Sequence, residues 1–371
     1  MNRRVKLIDI AEALGVSTGT VHRALHNHRG VNAMTKARVQ QMARTLGYRP
    51  NLAARFLSSK RNLRISVNTL RGTTSFWDEV REGIAEAARA LVLENVEIEY
   101  RTYPSLGEGE EKAFDAALKD EVDGIIMYPS HPSSLQSCMR RASRRGIPVL
   151  CVTTDAPHSG RLAVVSVDTL ASGSLAADLM ARLLGEQGEV AVTLGSSTIT
   201  EHAEKRSAFE ATLRELYPRV RLVQTIEDHD IESEAHMKCM DLFDKHPDLR
   251  GIYITTEASI PVLTAARERG ILDRLTIITT DLFPALVPEI RSKTVAATIY
   301  QRPRTQGRIA FRVLHEFLVE GECPSFQITL APHLVMRGNL DFFLQRQLLE
   351  STTEKTVKLQ NQPAEAVEYF G

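Results

Sequence analysis

The stretch Leu7–Leu25, LIDIAEALGVSTGTVHRAL, decides how the N-terminal part of this chain is read. Leu7, Ile10, Ala11 and Leu14 recur at i, i+3, i+4 and i+7, which makes one apolar face of a short helix. Gly15 follows where a left-handed residue ends a helix. Ser17 suits the N-cap of a second helix whose inward side is Val21, Ala24 and Leu25. Further on, Val39, Met42, Ala43 and Leu46 form a third stripe, closed by Gly47. Three short helices with a tight, glycine-bearing turn between the first two predict a helix-turn-helix unit.

In such a unit the second helix enters the major groove of DNA, and its exposed N-terminal residues reach base edges. Those residues here are Thr18, Gly19, His22 and Arg23. Arg23 alone among them can grip a guanine with two hydrogen bonds, worth ~1–3 kcal/mol of discrimination. The charge agrees. Residues 1–64 hold 13 Lys+Arg against 2 Asp+Glu, a net +11, while the whole chain balances at 46 and 46 and so leaves −11 elsewhere. A basic head on an acidic body predicts a head that meets a polyanion and a body that does not.

The longer run LIDIAEALGVSTGTVHRAL…VNAMTKARVQQMARTLGYRPNLAARFLSSK resembles the headpiece of the lactose-repressor (LacI) family along its whole length. The resemblance implies a sequence-specific transcription regulator, most often a repressor, binding a pseudo-palindromic operator as a homodimer. It implies that Ser17 and Thr20 contact phosphate and that Thr18, Gly19 and Arg23 read bases. Tyr48 and Asn51 would position the third helix and hinge against the DNA backbone. Two positions depart from the family pattern: His22 replaces a serine and His26 an asparagine.

Residues 51–59, NLAARFLSS, follow Tyr48-Arg49-Pro50 and predict a hinge helix too short to persist alone in water. Such a segment folds on DNA and is disordered off it, as a switch requires. By resemblance, Ala54 lies against the minor-groove floor and Leu57 is an apolar wedge. Two Leu57 side chains of a dimer would kink the duplex at a pyrimidine–purine step, C-G being the first expectation.

From Leu63 onward the pattern changes. RISVNTL, VEIEY, GIIMY, PVLCV, AVVSVD, EVAVTL, RLVQTI, GIYIT, LTIIT and VAATIY read as strands, with amphipathic helical stretches between them. Apolar strands alternating with helices predict parallel sheets covered on both faces. Ten strands exceed what one sheet usually holds, so two lobes are expected. The predicted architecture is therefore an all-α headpiece (1–50), a hinge helix and linker (51–62), an α/β two-lobed effector-binding and dimerisation domain (63–345), and a polar tail (346–371).

Ligands of open α/β sheets sit beyond the carboxyl ends of the strands. The residues there are Asn68, Phe76, Trp77, Ser130, His131, Asp155, Asp168, Thr256, Glu257, Asp281 and Gln301. Carboxylates and amides pair with vicinal hydroxyls, and aromatic rings cover the apolar faces of a sugar. Asp168, before TLASG, reads more readily as a helix cap than as a ligand contact. Residues 63–340 also resemble the ribose-type periplasmic sugar-binding proteins and the matching regulator cores. That resemblance maps Phe76-Trp77, Asp155, Asp281 and Gln301 onto sugar contacts. It also implies an arginine in the cleft near 196–206, where Arg206 or Lys205 could serve, with Glu201 and His202 as alternatives. Ala156 and Thr256-Glu257 depart from the usual residues, leaving the sugar open.

Other classes find less support. A transport binding protein has no need of a +11 headpiece, and the N-terminus lacks the apolar core of a signal peptide, so a cytoplasmic protein is expected. No run approaches ~18 consecutive apolar residues, so no membrane partner is expected. Walker A, G-x-G-x-x-G, G-x-S-x-G and H-E-x-x-H motifs are all missing, which argues against an enzyme of the α/β class. Cys138, Cys151, Cys239 and Cys323 are scattered, with no zinc-like spacing, and read as reduced thiols; neither metal nor cofactor is expected.

Overall fold

The computed structural model describes residues 7–25, 30–46, 62–71, 75–91 and 96–345. The N-terminal unit holds α1 (Leu7–Leu14), α2 (Thr18–Leu25) and α3 (Ala33–Thr45). Ile10, Ala11, Val21, Ala24, Val39 and Ala43 form its buried core, with Leu7, Leu14, Leu25 and Met42 packed against it. Gly15 sits at φ 65°, ending α1 in the left-handed conformation. Leu46, expected on the third stripe, lies just past the end of α3 and is exposed. The helix stops before that position can turn inward.

The larger unit is built of two parallel sheets. Its strands are β1 (Leu63–Leu70), β2 (Val96–Tyr103), β3 (Gly124–Met127), β4 (Val149–Val152), β5 (Ala163–Val167), β6 (Gly188–Leu194), β7 (Val220–Glu227), β8 (Leu249–Ile254), β9 (Thr276–Thr280), β10 (Ala297–Tyr300), β11 (Gln327–Leu330) and β12 (His333–Val335). The intervening helices are α4 (Ser75–Arg89), α5 (Glu110–Lys119), α6 (Pro132–Arg144), α7 (Thr169–Leu183), α8 (Thr200–Leu216), α9 (Glu232–Lys245), α10 (Ser259–Glu268), α11 (Val287–Arg291) and α12 (Pro303–Val319).

The sheet orders are β11-β5-β4-β3-β1-β2 and β12-β10-β9-β8-β6-β7, so the two lobes repeat one winding. Among the described strands, only β12 runs antiparallel, against β10. The central strands are buried throughout, as parallel strands covered on both faces must be. The chain passes between lobes three times: after β5, after β10 and between β11 and β12. In each sheet the order reverses beside the first strand, between β1 and β3 and between β6 and β8. Crevices open at such points beyond the carboxyl ends of strands.

Close helix packing fixes the lobes. A Cβ on Gly83 of α4 would come within 2.0 Å of the Arg304 carbonyl, and one on Gly307 of α12 within 2.1 Å of the Val80 carbonyl. In the second lobe a Cβ on Gly173 of α7 would meet the Lys205 carbonyl of α8 at 2.2 Å. Among the described residues, no helix is long and apolar enough to cross a membrane.

Candidate functional site

Two regions carry chemistry. In the N-terminal unit, Ser17 caps α2: its Oγ accepts from Thr20 N–H at 3.1 Å and lies 2.9 Å from Thr20 Oγ1. Arg23 reaches back to the Thr20 hydroxyl at 3.5 Å, a weak tie that leaves the guanidinium at the surface. Thr18, Gly19 and Arg23 are exposed, while Val21 and Ala24 on the opposite side of the helix are buried. The first two turns of α2 therefore present Thr18, Gly19 and Arg23 at the surface. His22 lies on the same helix. His26, Tyr48, Asn51, Ala54 and Leu57 lie outside the described residues.

The second region is a cleft of about 300 Å³ between the lobes. Leu70 enters its wall as the last residue of β1 and Arg71 just after it, Phe76 and Trp77 on the first turn of α4, Leu106 after β2, Tyr128 after β3 and Thr153 after β4. The second lobe adds Glu201 and His202 from α8, Asp230 and Glu232 after β7, Thr255 to Ala258 after β8, Asp281 after β9 and Gln301 after β10. Every contribution lies at or after the carboxyl end of a strand.

The first-lobe side is aromatic. Trp77 and Tyr128 ring centres lie 4.4 Å apart, and Phe76 meets Trp77 edge-on at 5.0 Å. The second-lobe side is polar and tightly connected. Fully buried Lys205 donates to Glu201 and, at 2.9 Å, to Gln301 Oε1. The Gln301 amide in turn donates to Asp281 Oδ2 at 2.8 Å, and its backbone N–H to Oδ1 at 3.2 Å. Burial opposes the Lys205 charge most strongly, but Glu201, Tyr253 and Asp281 together outweigh it and raise its pKa. Burial likewise pushes the Asp281 carboxyl up, against the Lys205 charge and the Gln301 hydrogen bonds.

His202 is held neutral. Burial lowers its pKa to about 4, and its Nδ1 accepts the Ser196 N–H at 3.2 Å, so its proton sits on Nε2. Asp230 is open to cleft water, yet protein crowds it enough to raise its carboxyl to about 6, with the Glu201 charge adding to the effect. Behind it, fully buried Asp228 is raised to about 7, by burial first and Asp230 second.

Three wall residues, Thr153, Asp230 and Asp281, have φ of 72°, 57° and 69°. A β-branched threonine in this region is strained, and strain of this kind gathers at binding sites. Thr153 and Thr255 stand in the wall, and their buried hydroxyls have no hydrogen-bond partner among the described residues.

Of the residues singled out from sequence, Phe76, Trp77, Glu257, Asp281 and Gln301 share this wall, as do Thr256 and the alternatives Glu201 and His202. Three do not. Asp155 turns its carboxylate to the buried Arg161 guanidinium in a bidentate pair, and its carbonyl accepts from Thr200 at 3.0 Å. Arg206 lies outside the wall, 3.3 Å from Glu210 one turn along α8. His131 precedes α6, with Nδ1 3.2 Å from Ser133 Oγ. Asp168 caps α7, accepting from Ala171 N–H at 2.8 Å. Sequence reasoning passed over Tyr128, Thr153, Asp230 and Glu232. The signal for Asp230 was present, since EDHD crosses the end of β7 as other acids follow their strands.

Two family models match this chain. Residues 6–51 match the description "Bacterial regulatory proteins, lacI family", and residues 65–322 match "Periplasmic binding protein domain". The chain belongs to the lacI family of bacterial regulatory proteins. This lacI-family regulator is 23% identical to catabolite control protein A of Staphylococcus epidermidis, over 90% of this chain and 98% of that protein. It is 26% identical to the HTH-type transcriptional regulator AglR of Rhizobium meliloti, over 90% and 94% respectively. Its body shares the fold of GanP, a glucose-galactose binding protein from Geobacillus stearothermophilus: TM-score 0.71, 24% identity, 76% of this chain and 99% of that one. The lacI-family regulator is thus a DNA-binding transcription regulator with a sugar-binding-protein-like effector domain.

Proposed function

We propose that this regulator is a repressor that binds a pseudo-palindromic operator as a homodimer and is controlled by a small sugar-like effector held between its lobes. The observation that carries this is the wall of the cleft. Aromatic rings from one lobe meet carboxylate, amide and hydroxyl groups from the other, in a volume of about 300 Å³ that suits a small ligand. Solved relatives of the same fold bind glucose-galactose or, in a solute-binding protein from Burkholderia graminis, D-arabinose. Asp281, Gln301 and Glu257 would bond the hydroxyls of such a ligand, while Trp77 and Phe76 cover its apolar face.

Lobe closure on the ligand changes the relation between lobes, and the hinge at 51–62 carries that change to the headpieces. Ser17 and Thr20 anchor each headpiece on phosphate, and Thr18, Gly19 and Arg23 read bases. Leu57 pairs across the dimer axis as the wedge. A differential affinity of ~1–3 kcal/mol between the two states is enough for a useful switch.

In vitro selection of random duplexes by the full-length protein tests this reading. Enrichment of a palindrome with a central pyrimidine–purine step is expected, and sugars added to the bound complex should then shift its affinity. Enrichment of a single, non-repeated half-site would overturn the dimeric reading. A bound operator indifferent to every sugar would overturn the effector assignment.

A further inference from the structure

Helix α8 brings Glu201 and His202 into the cleft wall, yet its own sequence does not cap it. The N-cap position is Ile199, a buried side chain that offers no acceptor to the free N–H groups of the first turn. The acceptor comes from the other lobe. Thr154, 47 residues earlier and just past β4 of the first sheet, takes the Glu201 N–H on its Oγ1 at 3.1 Å. Beside it the Thr200 hydroxyl donates to the Asp155 carbonyl at 3.0 Å. The body of α8 belongs to the second lobe, where Phe209 and Leu213 share a buried cluster with Val190, Val192 and Tyr253. A helix of one lobe is thus capped by a side chain of the other.

The turn that delivers Thr154 is strained. Its N–H bonds back to the Val152 carbonyl at 2.9 Å, closing a three-residue turn centred on Thr153 at φ 72°. This is the rarer, strained form of the γ-turn, and a β-branched residue at its centre makes it costlier. The surroundings hold it in place. The Thr153 N–H pairs with the Val165 carbonyl of β5 at 2.8 Å. Buried Arg161 grips the Asp155 carboxylate and also donates to the Phe326 carbonyl at 3.1 Å, just before β11. Strain kept in a buried turn of the wall points to a use for the geometry it sets.

We infer that Thr154 is a positioning residue of the effector site: its hydroxyl fixes α8, and with it Glu201 and His202, at one angle to the aromatic wall of the first lobe. The inference rests on the cleft being the effector site and adds a residue that stands outside its wall. If the lobes turn while this region stays dry, a buried N–H is left without an acceptor, which is costly. If they part, both bonds break. Either way the contact favours one relation of the lobes over others.

Full-length Thr154→Val and Thr154→Ser test this beside the parent protein. The valine keeps the side-chain shape and loses the acceptor, and the serine keeps the acceptor. Unliganded melting curves report that each is folded, and Thr154→Ala carries the same arm should the valine variant not fold. Trp77, the single tryptophan of the chain, stands in the first-lobe wall and reads the cleft without any ligand. In Thr154→Val its emission should move to the red and be quenched more steeply by acrylamide, and in Thr154→Ser both should return to the parent values. Titration calorimetry with D-glucose, D-galactose and D-arabinose reads the site itself. The sugar that binds the parent most tightly should bind Thr154→Val about fivefold more weakly or worse, and Thr154→Ser within about twofold of the parent. Unchanged Trp77 emission and quenching in Thr154→Val would overturn the inference, as would equal losses in the valine and serine variants. Altered Trp77 behaviour with sugar affinity intact would overturn the positioning role. If the parent binds none of the three sugars while Trp77 responds as expected, the sugar-effector reading falls and the cap between the lobes stands.

Discussion

At the residue scale, the cleft depends on groups held away from their ordinary protonation states. Asp228 is fully buried with its carboxyl raised to about 7, whereas an unfolded aspartate titrates near ~3.9. The folded state therefore keeps this proton longer, and stability is lost as pH rises from about 4 through 7. Asp228→Asn keeps an acceptor for the Asp230 N–H and removes the ionisation. It should raise urea stability by ~2 kcal/mol at pH 8 and by much less at pH 5. Equal gains at both pH values would mean that buried charge is not the source. His202 works in the opposite sense: its pKa of about 4 lies below the unfolded value, so its contribution is present above ~6.5 and is lost as pH falls toward 4. Side-chain nitrogen NMR should find it neutral at pH 5.5, with the proton on Nε2. The sequence named the acids after most strands but could not show their partners. Asp155 read as a free strand-end acid because its Arg161 partner stands six residues away across a turn, which no spacing rule reveals.

At the element scale, α7 and α8 touch through Gly173, and α8 carries Glu201, His202 and Lys205. Gly173→Ala would place a methyl group 2.2 Å from the Lys205 carbonyl, so α8 must shift. Overpacking of this kind costs ~1–3 kcal/mol. Denaturant midpoints should show that loss, and any effector-induced stabilisation should shrink with it. An unchanged effector shift would mean that α8 does not position the wall. The ten predicted strands were legible because most are largely apolar runs, and the edge strands β2 and β7, though half-exposed, each span eight residues. β11 and β12 were not. QITL alternates exposed and half-buried positions, and HLV is three residues long, so neither carries the pattern of a doubly covered strand. Both are sheet-edge strands.

At the scale of the whole molecule, the Tyr300 hydroxyl at the end of β10 ties the second lobe to α4 of the first, donating to Glu79 Oε2 at 3.1 Å. If the effector stabilises that closed relation, Tyr300→Phe should weaken effector binding by about tenfold or more, in keeping with the ~1.5–3 kcal/mol of one hydrogen bond to a charged group. Calorimetry with the effector would read the change, and an undiminished affinity would place this bond outside the closing motion. The +11 charge of residues 1–64 makes a second prediction. Operator affinity should fall steeply with salt, and Leu57→Ala should weaken specific binding more than non-specific binding. Gel-shift titrations at several salt concentrations would test both, and equal losses on the two DNA types would remove the wedge.

The three passages of the chain between lobes set a timetable for synthesis. The first sheet lacks its final strand until β11 emerges, about 160 residues after β5 is complete. At ~5–20 residues per second, the outer edge of β5 waits some ~8–30 s on the ribosome with its backbone groups unpaired. Nascent chains halted within that window should recruit chaperones or one another through that open edge. Chains halted after residue 330 has cleared the exit tunnel should not.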